Sequence, residues 1–345
     1  MSELSDRQRL LLSLVIHEYI RSATPVGSKH MVDQYSLDMS SATVRNELAE
    51  LTELGYLRQP HLSAGRVPTE DGYRLFVGSI VQESELPDST RRTISHQFYQ
   101  MRNDVEQWTR LAASVLAHQS RGASLVTAPH PEQAHFKHLE LISSRGRQVL
   151  LVLVLMGGEI LQRFITLPEP VSQDTLSTTA QHLNAVMEAK TTKAIDQMNL
   201  ELNALEKDLF DVVLEEMKQA DSMVSGEVVL DGLTNVLAEP EFSGSEDARR
   251  ALRVLEEKPL LHDILSKTVL HGSSIGGVQV LIGGEGIYDA LSQCSIVLAR
   301  YGTPGLATGT LGVLGPMRMS YGRTISIVRF LSGLLSELVT ETITE

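Results

Sequence analysis

The stretch from Pro25 to Tyr73 constrains the possible folds of this chain more than any other part of the sequence. Its apolar spacing and its turn residues predict a helix, a turn and a second helix, followed by a short hairpin. That order is required for a winged helix-turn-helix, in which one helix enters the major groove of DNA and a loop lies beside it. We therefore predict a winged DNA-binding domain over residues 1–80.

The second helix has a well-marked start and a well-marked buried face. Ser40 or Ser41 is suited to cap it, because a short hydroxyl side chain can accept from the free backbone N–H groups of the first turn. Val44, Leu48 and Leu51 then recur at the spacing of one helix face, which predicts a buried stripe.

The opposite face of this helix carries Arg45 and Asn46 between the small residues Ala42 and Ala49. Arginine can bind the edge of guanine with two hydrogen bonds, and asparagine can do the same with adenine. The alternative is an ordinary amphipathic helix with a solvated polar face. The hairpin that follows favours the DNA-reading interpretation.

The predicted hairpin turns at residues 61–65, where Ser63 and Gly65 keep the tip small. Arg66 and His61 would hold phosphate or the edge of the minor groove, and Lys29 would reach a phosphate from the start of a short helix capped by Ser28. We expect Ala42, Thr43, Arg45 and Asn46 to face the bases. The full set of predicted DNA-contacting residues is Lys29, Ser40, Ser41, Ala42, Thr43, Arg45, Asn46, His61, Ser63 and Arg66.

The distribution of charge limits how such a head would bind DNA. The chain carries a net charge of −13, and residues 193–258 hold 16 Asp and Glu against 7 Lys and Arg. Residues 1–77 contain 8 basic and 10 acidic residues, so phosphate neutralisation alone predicts weak nonspecific affinity. Tight binding then requires base readout and two heads on one DNA site.

The rest of the chain is predicted to mix helices and sheet. A helical pattern over residues 89–118 would connect the head to the body. Three strands over residues 136–167 form a predicted antiparallel meander, and further strands are expected at 278–282, 295–298 and 310–314. With 345 residues, two or three α+β domains are expected. Arg318 and Arg323 are expected to pair with acidic residues of this body.

A second helical seam lies in the acidic segment. Its apolar residues recur at the spacing suited to packing on another helix. The residues are Leu202, Leu205, Leu209 and Val212. A subunit interface and a core within one domain are about equally compatible with this pattern.

Several function classes lack sequence support. No GxxxxGK[ST] motif occurs, Gly283 to Gly286 do not match GxGxxG, and Cys294 is the only cysteine. His130, His135 and His138 are close in sequence but have no supporting cysteine or aspartate nearby, so we predict no metal and no cofactor. The longest apolar run is too short for a membrane helix and the first residues do not resemble a signal peptide, which predicts a cytoplasmic protein. An enzyme is the least favoured class.

Five segments carry a resemblance to a known family. They are VGSKHMVDQYSLDMSSATVRNELAELTELGYLRQPHLSAGRVPTEDGYR, SGEVVLDGLTNVLAEPEF, QVLIGGEG, CSIVLARY and GTLGVLGPMRMSYGRTISIV. Together they span nearly the whole chain and resemble the heat-inducible transcription repressor HrcA family.

The resemblance implies a homodimeric repressor of heat-shock chaperone genes. It implies binding of double-stranded DNA at an inverted-repeat operator, release on heat stress, and activity maintained by chaperonin. It also implies a GAF-like domain interrupted by an inserted dimerisation domain, and it tips the interpretation of the Leu202–Val212 seam toward a subunit interface. The expected domains are 1–80 (winged helix), 81–118 (linker and connecting helix), 119–192 with 267–345 (GAF-like), and 193–266 (inserted dimerisation domain).

A second function from another class stays open. A GAF-like domain could serve as the sensor of a small-molecule-responsive winged-helix regulator, although the sequence shows no convergent set of polar pocket residues.

Overall fold

The computed structural model of the chain describes residues 4–80, 86–102, 104–130, 133–156, 159–222, 228–242, 261, 264, 277–286, 291–304 and 306–344. Helices and antiparallel sheet occur together, which confirms the α+β class. The chain divides into two units. The first unit comprises Met1–Ala128, Glu227–Gly302 and Gly309–Glu345, and the second comprises Pro129–Gly226 and Thr303–Thr308.

The first unit begins with a head of short elements, residues 4–80. In chain order these are α1 (Asp6–Ser22), α2 (Ser28–Tyr35), α3 (Ser41–Glu53), β1 (Leu57–Arg58), β2 (Val67–Pro68), α4 (Glu70–Leu75) and a π-helical turn (Phe76–Ile80). The strands β1 and β2 pair in antiparallel fashion and form a short hairpin.

Local capping explains where α1 and α3 begin. Ser5 and Gln8 form a reciprocal capping box at the start of α1. Ser40 caps α3 by accepting from the backbone N–H of Thr43 at 3.1 Å, which confirms the first of the two predicted caps. Gly55 has a φ of +85° just beyond α3, a conformation that glycine adopts without strain.

The predicted cap of α2 is wrong. Gly27 occupies the N-cap position and provides no side-chain hydrogen bond, while Ser28 is the first helical residue and is buried. The Ser28 hydroxyl lies 3.1 Å from the hydroxyl of Ser41. It therefore joins α2 to α3 instead of capping its own helix.

A five-stranded sheet lies in the body of the first unit. Its strands are β3 (Ala123–Thr127), β7 (Val228–Asp231), β8 (Val278–Ile282), β9 (Cys294–Thr303) and β10 (Ala307–Pro316), in the order β7-β3-β10-β9-β8. The accompanying helices are α5 (Asp88–Gln100), α6 (Val105–Ser120), α10 (Leu233–Leu237) and α11 (Tyr321–Thr344).

Both faces of the five-stranded sheet are covered. On one face α6 packs on β3, and the Trp108 ring meets the Tyr301 ring edge-on at 6.1 Å between centroids. On the other face Leu125, Ile296 and Leu298 share a core with Val236 and with further residues of the same unit, Phe242, Leu261, Ile264 and Leu314.

The predicted continuous helix over residues 89–118 is two helices. α5 ends at Gln100, and Asp104 caps α6 by accepting from the backbone N–H of Gln107 at 3.0 Å. Asp104 was the local signal for a new helix start, because aspartate is among the favoured N-cap residues.

The second unit contains the predicted meander, which the structure confirms. Its strands β4 (Phe136–Ser143), β5 (Gln148–Leu155) and β6 (Ile160–Thr166) pair in that order and are antiparallel. Three helices follow, α7 (Gln173–Met187), α8 (Thr192–Asp196) and α9 (Ala204–Ser222).

The division between the units differs from the expected domain boundaries. We expected the meander and α9 in separate domains, but Leu151 and Leu153 of β5 share one buried core with Leu209, Val213 and Met217 of α9. Their shared apolar core places strands and helix in the same unit. Residues 223–227, 243–260, 262–263 and 265–276 lie outside the described residues, so much of the expected inserted domain is among them.

No helix within the described ranges has the length and apolar character needed to cross a membrane.

Candidate nucleic-acid interface

The outward face of α3 carries the predicted base-reading side chains. Ala42, Arg45 and Asn46 are exposed, while Val44 and Leu48 on the opposite side are buried. Within the described part of the chain, Arg45 and Asn46 make no side-chain hydrogen bond or ion pair. Their polar groups are therefore free to bind a partner.

Neighbouring acidic side chains of α3 are held by α1. Arg7 forms an ion pair with Glu47 at 3.2 Å, and Gln8 donates to Glu50 at 2.9 Å. The side chain of Glu47 is mostly buried. These contacts orient α3 on α1, and Arg7 partly neutralises the negative charge near the outward face of α3.

Two predicted contact residues near the start of α3 are partly occupied by internal bonds. The hydroxyl of Thr43 lies 2.9 Å from that of Ser40, and Ser41 is half-buried beside Ser28. Lys29, in contrast, is exposed in the first turn of α2.

The hairpin loop between β1 and β2 is ordered by a residue that the sequence analysis did not single out. The side-chain amide of Gln59 donates to the backbone oxygens of Leu62 at 2.9 Å and of Ala64 at 3.0 Å. His61, Leu62 and Ser63 are exposed at the tip of this loop. A glutamine at the end of a strand has no local pattern that would reveal this role.

The base of the hairpin loop is attached to the segment between α1 and α2. Val26 and Arg66 exchange two backbone hydrogen bonds, at 2.8 and 2.9 Å. A Cβ atom on Gly65 would lie 2.4 Å from the carbonyl group of Val26, so the close approach requires glycine.

Arg66 has an internal contact in addition to its predicted role. Its side chain is half-buried, and its Nε donates to the hydroxyl of Thr52 in α3 at 2.9 Å. This bond links the hairpin loop to the helix that carries Arg45 and leaves the terminal nitrogens of the guanidinium for an outside acceptor.

A buried carboxylate fixes α1 against α2. The side chain of Glu18 is about 5% exposed. Its carboxylate accepts hydrogen bonds from Arg21 at 2.9 Å and from Tyr35 at 3.0 Å, and it lies 3.2 Å from Nε2 of His30. Burial by itself raises the pKa of Glu18, but the hydrogen bonds from Arg21, His30 and Tyr35 outweigh it, so the net pKa is lowered. Arg21 stays on the surface of the head, but its guanidinium is occupied by this internal partner.

The head is fastened to the body of the first unit at a junction around Arg318. Arg318 forms ion pairs with Glu239 and Glu241, and its Nη1 makes a long contact of 3.5 Å with the carbonyl oxygen of Ile20 near the end of α1. This confirms the predicted pairing of Arg318 with acidic residues. The same prediction is wrong for Arg323, which donates to the amide oxygen of Gln119 at 2.9 Å.

Other contacts lie between the same head and body. The rings of Tyr73 and Tyr321 are 5.9 Å apart between centroids. Arg74 donates to the carbonyl oxygen of Ile282 at 3.3 Å. These long-range contacts have no signature in the local sequence.

The predicted interface seam on α9 is largely directed into its own unit. Leu209 is fully buried in the core that it shares with the meander, and Leu202, Leu205 and Val212 are partly buried against that core. As placed in the protomer, Leu209 has no surface to offer a second subunit, because the inner face of the meander covers it.

The opposite face of the meander combines apolar residues with His138, Glu140 and Gln162, and it is only partly covered. Leu150 of β5 lies between Ile142 and Phe164, and Val154 lies beside Ile160. Phe164 is 65% exposed and Ile160 is 58% exposed. We define the open face of the meander as Ile142, Leu150, Val152, Val154, Ile160 and Phe164.

The three predicted loop histidines do not form a site. His130 pairs through its backbone with Thr308, the ring of His135 lies 3.0 Å from the Gln133 carbonyl oxygen, and His138 is 3.4 Å from Glu140. Across the described residues, no group of three or more His, Cys, Asp or Glu side chains is arranged to hold a metal ion.

Comparison with known proteins identifies one family. Residues 106–325 match the family model described as the HrcA protein C terminal domain. The heat-inducible transcription repressor HrcA of Roseiflexus castenholzii is 42% identical over 99% of this chain and 96% of its own length. The repressor of the same name from Herpetosiphon aurantiacus is 40% identical over 98% of this chain and 96% of its own length.

One solved structure supports the fold. A crystal structure of a hypothetical protein matches with a TM-score of 0.59 at 23% identity, and the match covers 98% of each chain.

Proposed function

Since the chain belongs to the HrcA family of heat-inducible transcription repressors, we propose that it represses heat-shock chaperone genes by binding an inverted-repeat operator as a homodimer. The observation that carries this proposal is the exposed pair Arg45 and Asn46 on a capped helix, beside a hairpin loop ordered by Gln59. The head is then a winged helix, with α3 in the major groove and the hairpin loop as its wing.

The outer face of α3 reads the bases. Arg45 binds the O6 and N7 acceptors of a guanine, and Asn46 binds an adenine. Ala42 is small enough to let the helix approach the base edges closely, and Thr43 lies beside it. The remaining contacts position the head, since bonds to phosphate carry no sequence information directly.

The absence of a net positive charge on the head explains why two heads are needed. Residues 1–77 hold more acidic than basic side chains, so few phosphates are neutralised and nonspecific affinity is low. A dimer places two heads on one operator, and the second binding event becomes effectively intramolecular. Inverted repeats match such a dimer because the twofold symmetry of the DNA mirrors that of the protein.

The dimer forms through the open face of the meander, and not through Leu209. The strand β5 is apolar at every position after Gln148, a pattern typical of strands that are buried on both faces. One face of this strand packs on α7 and α9 within the protomer. A second copy of the chain, brought by twofold operator binding, would cover the other face.

This interface is tested by placing a charge on it. Phe164→Asp and Ile160→Asp, introduced together, should convert dimers to monomers in sedimentation velocity runs, because each carboxylate would be desolvated in the interface. Thr178→Asp adds one such carboxylate at an exposed site of α7 in the same unit and serves as the control. Persisting dimers of a folded double variant would contradict the proposal.

Heat lowers the fraction of the protein that is a native dimer able to bind the operator. The native state is marginally stable, so warming depletes the operator-binding dimer, and chaperonin restores it. Purified protein should lose operator binding after a heat-and-cool cycle and regain it when chaperonin and ATP are added. Full binding after such a cycle without chaperonin would count against this step.

The central test of the function is a footprint on the promoter of a chaperone operon. The protein should protect two half-sites related by inversion, and a scrambled half-site should abolish that protection. A promoter that stays unprotected at micromolar protein, while the protein is folded, would refute the proposal.

The alternative of a small-molecule sensor has weaker support. The ring of Tyr301 lies directly over Gly309, where an added Cβ would be 2.5 Å from the ring, and Trp108 packs beside it. Large aromatic side chains therefore fill this face of the five-stranded sheet. A metabolite that raises the melting temperature of the protein would favour the alternative.

A further inference from the structure

We propose that Leu62, at the tip of the wing, is a wedge that enters the minor groove and partly unstacks one base step beside the half-site. This inference rests on the proposed function, because it gives a specific role to a residue of the same DNA-binding surface. It concerns a side chain that the base-reading interpretation does not use.

The exposure of Leu62 is extreme for its residue type. Its side chain is 100% exposed, the highest value among the large apolar residues whose burial the structure describes. Single exposed leucines are common on protein surfaces, so exposure by itself assigns no role. What distinguishes Leu62 is the way the surrounding loop holds this leucine in place.

The loop that carries Leu62 is ordered before any DNA is bound. The side-chain amide of Gln59 donates one hydrogen to the carbonyl oxygen of Leu62 and the other to that of Ala64. The backbone N–H of Ala64 also donates to the carbonyl oxygen of His61 at 2.9 Å. A tip that is already ordered loses little conformational entropy on binding. The favourable free energy of the contact made by its apolar side chain is therefore offset very little.

The wing is also held at a defined place relative to α3. Gly65 lies against the backbone of Val26, and Arg66 bonds to Thr52 of α3. Leu62 is therefore presented at a set distance from the helix that enters the major groove. A rigid wing on the same scaffold would meet the adjacent minor groove.

The chemistry of the tip selects the kind of contact. His61 and Ser63 flank Leu62 and can bond to sugar and phosphate, but the leucine side chain can only replace water by an apolar surface. In the minor groove of duplex DNA the largest apolar surface that a leucine can cover is the face of a base, which is reached when a step opens. Inserted leucines produce such kinks in proteins that bind the minor groove. Steps such as TA and CA open most cheaply, so we expect one of them under the wing tip.

The test measures affinity by fluorescence anisotropy on the operator mapped by the footprint, and on a copy in which the flexible step is replaced by a stiff A-tract step. Leu62→Ala should weaken operator binding by roughly tenfold, equivalent to about 1.4 kcal/mol. On the A-tract copy, wild type and Leu62→Ala should bind almost equally, because the wedge has no step to open. Leu10→Ala, an exposed leucine of α1, is the matched control and should change neither affinity.

A structural readout separates a wedge from simple contact. With 2-aminopurine scanned through the operator, wild type should raise the fluorescence at one step of each half-site, and Leu62→Ala should not. Equal affinity and equal fluorescence for the two proteins would overturn the inference and leave the proposed function intact. A loss of affinity with unchanged fluorescence would also overturn it. If wild type itself fails to bind the operator, both proposals fall.

Discussion

Two arginines of the first unit have opposite surroundings. Arg45 on α3 is exposed and makes no ion pair or hydrogen bond among the described residues. Arg318 has a side chain only 12% exposed, and it binds Glu239 and Glu241 and approaches Ile20. The first guanidinium is available for an outside partner, while the second is saturated by the protein itself.

The difference shows how the head is built. Charged groups that hold the head together are paired and buried, as Glu18 and Arg318 are. Among the described residues of the head, Arg45 and Asn46 on α3 and His61 and Ser63 at the tip of the hairpin loop make no side-chain hydrogen bond or ion pair. We therefore expect substitutions on the outward face of α3 to have little effect on stability. In the proposed function, substitutions at the junction should leave the base preference unchanged.

The largest expected effect is at the junction. Arg318→Ala should lower the free energy of unfolding by roughly 3 kcal/mol, because it leaves two acidic side chains facing each other without their counter-charge. This is the lower end of the range for buried pairs, since Glu239 and Glu241 keep about a quarter of their side chains exposed. Chemical denaturation measures the change, and Arg323→Ala, at an exposed arginine of α11, should alter it by less than about 1 kcal/mol.

The contrast between Arg45 and Arg318 predicts that the junction variant keeps its base preference. Under conditions in which it is folded, the Arg318→Ala protein should discriminate between operator and scrambled DNA as wild type does. Altered discrimination would mean that the junction sets the reading geometry of α3.

The next effect concerns Arg45. Arg45→Ala should cost about 1–3 kcal/mol of operator binding and relax discrimination at one base pair, with unfolding unchanged. Arg66→Ala should weaken binding to all sequences more evenly, because its contact is with phosphate. Competition binding against single-base operator variants measures both. Unchanged specificity in Arg45→Ala would mean that another face of α3 reads the bases.

The smallest effect is at Glu18. Its lowered pKa means that the ionised form stabilises the head above the ordinary glutamate value of about 4.3, and that this stabilisation is lost as pH falls through the lower folded value. The charged and titratable groups around it are Arg21, His30 and Tyr35. Glu18→Gln should cost about 1 kcal/mol at neutral pH and flatten the decline of stability with acid. A variant with the same acid dependence as wild type would show that other carboxylates dominate.

Some of the candidate site could be predicted because its signals are local. The cap at Ser40 and the stripe of Val44 and Leu48 are separated by a few residues, so helix geometry alone directs Arg45 and Asn46 outward. The meander is equally local, since short strand-like apolar runs and short connections predict neighbouring antiparallel strands.

Other features could not be predicted, because they depend on residues far apart in the chain. Arg318 meets glutamates 77 and 79 positions away, and no periodic pattern connects them. The seam on α9 shows the same limit: its spacing predicts an apolar face, but only the placement of the meander decides that Leu209 is covered within the protomer.

The sequence by itself determined the family, the mixed α+β class, the capped helix with its outward Arg45 and Asn46, and the three-stranded meander. The tertiary structure alone decided that Gln59 orders the hairpin loop, that Glu18 and Arg318 are paired within the protomer, and that one face of the meander stays open. The physical reason is the separation along the chain over which each interaction acts. Hydrogen bonding and side-chain periodicity within one element act over a few residues, whereas burial and ion pairing depend on which distant segments the fold brings together.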